Sequence, residues 1–76
     1  MNHSRRKQLS EVSSMLQTAA SIVDSVLEEE QDSLDNMPEN LQSSDRYTQM
    51  EDAISNMEDA VDDIKSAISS VESASK

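Results

Sequence analysis

Between Met50 and Lys76 the chain reads MEDAISN-MEDAVDD-IKSAISS-VESASK when cut into sevens. Every block opens on Met, Met, Ile or Val, and every block carries alanine in fourth place: Ala53, Ala60, Ala67 and Ala74. Extended upstream, the residues Tyr47, Met50, Ile54, Met57, Val61, Ile64, Ile68 and Val71 alternate steps of three and four without a break. This is the a/d seam of a heptad-patterned helix, with Tyr47 at a and Met50 at d. A strand requires period two, which the segment does not offer. The first half repeats the pattern through Leu9, Val12, Leu16, Ala19, Val23 and Val26, with Leu9 at a. The spacing predicts a single all-α domain over 1–76, with helix 1 at about 4–33, a loop at about 34–44 and helix 2 at about 45–74.

Glycine is absent and the one proline is Pro38, so the only punctuation lies in the middle, in LDNMPENLQSSDRY. Pro38 cannot continue helix 1 without losing a hydrogen bond, and Asp35 and Asn36 are turn residues. Ser43 or Ser44 can cap helix 2, with Thr48 and Glu51 offering a capping box one turn later. Leu34, Met37 and Leu41 are expected to fold over the loop end of the pair. A connection this short makes the helices antiparallel. One register then matches each a with a d: Leu9 with Val71, Val12 with Ile68, Leu16 with Ile64, Ala19 with Val61, Val23 with Met57 and Val26 with Ile54. Tyr47 falls opposite Ser33, its ring plugging the mouth of the pair.

The alanine column takes position g in this lettering. Met15 and Ile22 take the facing g positions of helix 1, and Ala20 and Leu27 extend the other flank at e. The apolar stripe is therefore wider than a two-stranded seam needs. The expected architecture is an antiparallel two-helix hairpin that dimerises into a four-helix bundle. Met15, Ile22, Ala53, Ala60, Ala67 and Ala74 form the expected dimer flank. A chain of 76 residues with one aromatic residue has little core of its own, and a partner helix would supply what is missing.

Charge bounds the function. Net charge is −10, and residues 24–72 hold 15 acids against Arg46 and Lys65, a balance of −13. A field of that sign repels nucleic-acid phosphates and anionic lipid and attracts basic partners. Glu51, Asp52, Glu58, Asp59, Asp62 and Asp63 lie on the outer side of helix 2 as a candidate partner-binding face, alongside the plainer role of solvating the rod. Arg5, Arg6 and Lys7 form a basic tip. Cations at a helix start oppose its macrodipole, so another interaction must favour them; Arg6 facing Glu72 is the intramolecular candidate. The start has no apolar stretch after its basic patch, and no apolar run approaches a membrane span.

Catalysis and cofactors find no footing. Without cysteine there is no thiolate nucleophile or cysteine-ligated zinc, and without glycine there is no phosphate-cradling or calcium loop. His3 is the single histidine, which rules out two-histidine metal motifs. Asp59 with Asp62 or Asp63 offers only a loose surface cation site. No metal, no cofactor and no enzyme activity are expected.

The stretch NMPENLQ, Asn36 to Gln42, stands within DNMPENLQSSDRY, between the basic MNHSRRK start and the acidic MEDAI and MEDAVDDI blocks. This arrangement resembles short acidic helical proteins of prophages and other mobile elements in Gram-positive bacteria. The resemblance implies a bacterial cytoplasm and a phage accessory role, and transfers no site residues. The expected function is a protein-interaction module whose acidic face binds, and as a nucleic-acid mimic inhibits, a basic host protein. The alternatives are a purely structural assembly module and a DNA- or membrane-associated module acting through Arg5, Arg6 and Lys7.

Overall fold

The computed structural model describes residues 1–76 and contains two long helices and no strand. Helix α1 spans His3–Asp35 and helix α2 spans Asp45–Ala74, joined by a linker that holds a single 3-10 turn at Glu39–Leu41. They fold back on each other as a helical hairpin, a rod of 60 × 14 × 12 Å.

Each helix start is capped by a short polar side chain. Asn2 precedes α1 in extended conformation and its Oδ1 accepts from the Arg5 amide at 2.8 Å. Ser44 does the same for α2, its Oγ accepting from the Tyr47 amide at 3.3 Å. These caps satisfy amides that have no partner inside the helix. At the end of α1 the Asn36 side chain donates to the Asp32 carbonyl at 2.8 Å. Pro38 then takes φ −58° and ψ 145°, outside the helical range. Helix α1 thus runs on to Asp35, and Leu34 belongs to its last turn rather than to the loop. Leu34 is buried and Met37 is half-buried, but Leu41 is exposed, so only part of the expected apolar lid closes.

The seam of α2 is the expected one: Ile54 and Val61 are 6% and 5% exposed, and Tyr47, Met50, Met57, Ile64, Ile68 and Val71 are half-buried. The seam of α1 is not. Its covered apolar residues are Leu9, Leu16, Ala19, Ala20, Val23, Leu27 and Leu34, with Ser13, Glu30 and Gln31 covered beside them, while Val12 and Val26 are exposed. Helix α1 is therefore rotated from the expected setting, with Ser13, Ala20, Leu27 and Leu34 at a, and Leu9, Leu16 and Val23 at d. The register moves with it. The expected pairing set Gln8 against Glu72, whereas the Ser13 hydroxyl donates to Glu72 Oε1 at 3.4 Å. Glu72 thus meets Ser13 in place of Arg6. The rotated lettering aligns Leu16 with Ile68, Ala20 with Ile64, Val23 with Val61, Leu27 with Met57 and Leu34 with Met50, again matching each a with a d.

The reason lies at the loop end. Both seams pass Glu30, but one through Val12, Ala19 and Val26 ends on Ser33, whereas one through Ser13, Ala20 and Leu27 continues to Leu34. Leu27 offers one more methylene than Val26, about 0.8 kcal/mol when buried, and Leu34 stands where the other seam has the polar Ser33. Two leucines at the loop end outweigh the serine accepted at the other. Leu34→Ala should therefore lower the unfolding free energy by about 2 kcal/mol. Val12→Ala should change it by no more than about 0.5 kcal/mol. Urea denaturation followed by circular dichroism in dilute solution measures both, and a larger loss at Val12 would restore the other seam.

Candidate functional site

A two-helix rod has two long grooves, one along each side of its seam, and here they differ in kind. In an antiparallel pair the e positions of both helices border one groove and the g positions border the other. The e groove is polar. It holds Gln17, Asp24 and Gln31 from α1, with Glu51, Glu58, Lys65 and Glu72 from α2. At one end Gln17 donates to Ser13 Oγ at 3.2 Å, which in turn donates to Glu72, so a serine buried in the seam is satisfied by side chains. No buried side-chain polar atom is left without a partner.

Towards the loop the same groove opens into a shallow concavity of about 270 Å³, bordered by Gln31, Leu34, Glu51, Ile54, Ser55 and Glu58. Two apolar side chains, Leu34 and Ile54, lie among polar ones, and two carboxylates come from successive heptads of α2. A long basic side chain suits this composition, with its methylene stem on leucine and isoleucine and its cation by a carboxylate. Glu51 and Glu58 belong to the acidic face read from the sequence; Gln31, Leu34 and Ser55 do not, because their proximity depends on the rotated register.

The rest of the acidic face is open. Asp52, Asp59, Asp62 and Asp63 are exposed on the outer side of α2, as are Glu51 and Glu58. Glu58 with Asp62, and Asp59 with Asp63, are like charges one turn apart, an arrangement that weakens the helix slightly. No three histidine or carboxylate side chains come together as a metal-ligand set.

The g groove is apolar. Val12, Ala19 and Val26 border it from α1, and Ala53, Ala60, Ala67 and Ala74 from α2. Next to the valines, at position c, stand Met15 and Ile22, 67% and 59% exposed. On α2, Ala53, Ala60 and Ala67 are half-buried and Ala74 is exposed. The expected flank residues therefore do border one groove, but its wall on α1 includes Val12, Ala19 and Val26, while Ala20 and Leu27 have turned inward to the seam. The continuation of the α1 seam to Leu34 is the sequence signal that would have placed them.

Arg5, Arg6 and Lys7 are exposed in the first turns of α1, which contain no acid, and the last turn of α1 contains no base. No helix is long and apolar enough to cross a membrane.

If the carboxylates of the e groove are held open for a partner, neutralising them should not weaken the fold. Glu51→Gln with Glu58→Gln should leave the unfolding free energy within about 0.5 kcal/mol per site, or raise it by relieving repulsion. A larger loss in thermal denaturation would make these groups structural. No protein-family model matches the chain, and no curated protein or solved structure matches it either.

Proposed function

We propose that the chain is a non-enzymatic protein-interaction module, a dimeric helical bundle that presents the carboxylates of α2 to a basic protein. The observation that carries this reading is the concavity at the e groove. There Glu51 and Glu58 stand beside Leu34 and Ile54, on the helix that also exposes Asp52, Asp59, Asp62 and Asp63. A helix fixes the spacing of these charges before a partner arrives, so little ordering entropy is lost on binding. A row of fixed carboxylates on a thin rod also has the charge character of a nucleic-acid backbone, and the partner class this favours is a nucleic-acid-binding protein. The resemblance of the NMPENLQ stretch to mobile-element accessory proteins agrees with this choice, and under it the module would act in a bacterial cytoplasm.

The open apolar groove supports a second reading, in which the bundle serves only to assemble a larger particle. Ionic strength separates the two. Captured from a host lysate, a basic partner should bind at low salt, be released at about 0.5 M salt as screening shortens the range of the charges, and fail to bind the Glu51→Gln, Glu58→Gln, Asp59→Asn, Asp62→Asn variant. A salt-resistant partner that tolerates those changes but is lost with Ala60→Glu would favour the assembly reading and overturn the acidic-face reading.

A further inference from the structure

We infer that a second copy of this chain covers the open apolar stripe of α1, with the two α1 helices antiparallel and the basic start of each beside the acidic end of the other. The inference rests on the dimeric part of the proposed function and goes beyond it by naming the helix and the direction.

The stripe is itself a seam. Val12, Met15, Ala19, Ile22 and Val26 alternate steps of three and four, like the seam that closes the hairpin, yet Val12, Met15, Ile22 and Val26 are all exposed and only Ala19 is half-covered. Helix α1 thus carries two a/d-type faces and the hairpin uses one. The area agrees. The chain exposes 5546 Å², whereas a folded monomer of 8.4 kDa typically exposes roughly 4,600 Å². The excess, roughly 900 Å², comes from the thin 60 × 14 × 12 Å shape, which leaves room for the roughly 800 Å² that each partner buries in a stable interface.

The stripe also reads alike from both ends. Reversed about Ala19, Val12 falls opposite the partner's Val26 and Met15 within one residue of the partner's Ile22, so a two-fold axis near Ala19 brings the two stripes together along their length. The alanine column of α2 lies along the same groove and leaves room for the incoming helix, which is what close interaxial approach requires.

Charge sets the direction. Arg5, Arg6 and Lys7 precede the stripe, and Glu28, Glu29, Glu30 and Asp32 follow it. Both groups oppose the dipole of their own helix. Within the hairpin the last two turns of α2 supply one side-chain carboxylate near the basic start, Glu72, and it accepts from Ser13. An antiparallel second α1 supplies four. A parallel one would set cations against cations and carboxylates against carboxylates, which disfavours that arrangement.

Sedimentation equilibrium over micromolar concentrations tests the surface, and disulfide trapping tests the direction, since the chain has no cysteine of its own. The native chain should be dimeric, and Ile22→Glu should raise the dissociation constant by about 10- to 100-fold. With Ile22 largely exposed in the hairpin, helicity should persist. Cysteines at positions 12 and 26 lie about 21 Å apart along α1. In the antiparallel pair Val12→Cys and Val26→Cys chains should cross-link only when mixed, since a disulfide needs Cα atoms within about 7 Å. Each variant cross-linking with itself would overturn the direction and leave the dimer standing. A dimer indifferent to Ile22→Glu would overturn the α1 surface. A chain monomeric at high micromolar concentration would overturn both this inference and the dimeric part of the proposed function.

Discussion

Everything in this rod follows from the burial of one narrow seam. The chain has no disulfide and one aromatic residue, and only five of its residues are buried. Four of those five lie on the faces that α1 and α2 turn toward each other with small or aliphatic side chains: Ala20, Leu34, Ile54 and Val61. Because so little is hidden, the choice of which α1 residues enter the seam decides which remain outside. Turning Leu27 and Leu34 inward turns Val12 and Val26 outward, and that single rotation creates both an apolar groove and a polar one. The surface chemistry of this protein is the remainder left by its core.

The two grooves assign different tasks to the two sides. The alanine column of α2 and the valines of α1 make one wall suited to another helix, since alanine removes the bulk that keeps helices apart. Glu51, Glu58 and Glu72 keep the opposite wall wet and negative. An arrangement of this kind would let so thin a rod take a helix on one side and keep the other side free.

The architecture was legible in the sequence because heptad periodicity is a long-range regularity: eight residues of α2 agree on one phase, and no glycine interrupts it. The phase of α1 was not, because that helix carries two overlapping seams that share Leu9, Leu16 and Val23. Val12 and Ser13 compete for the same layer, and a reading that ranks residues by hydrophobicity prefers valine. The choice is settled by Leu34, more than five turns away, which such a local ranking does not weigh. The same ambiguity hid the concavity, since Gln31 and Leu34 approach Glu51 and Ile54 only in the rotated register. The acidic character of α2 needed no register at all, and composition alone showed it.

The seam is not uniform along its length. Leucines fill the a positions near the loop, while the corresponding positions near the termini are Ala20 and Ser13, the latter held by Gln17 and Glu72. On the α1 side the a positions therefore lose apolar bulk from the loop toward the open end, where fraying of the pair should begin. Fraying of this kind would let the basic start of the chain move away from α2 while the rest of the rod stays closed, widening the volume that Arg5, Arg6 and Lys7 can search.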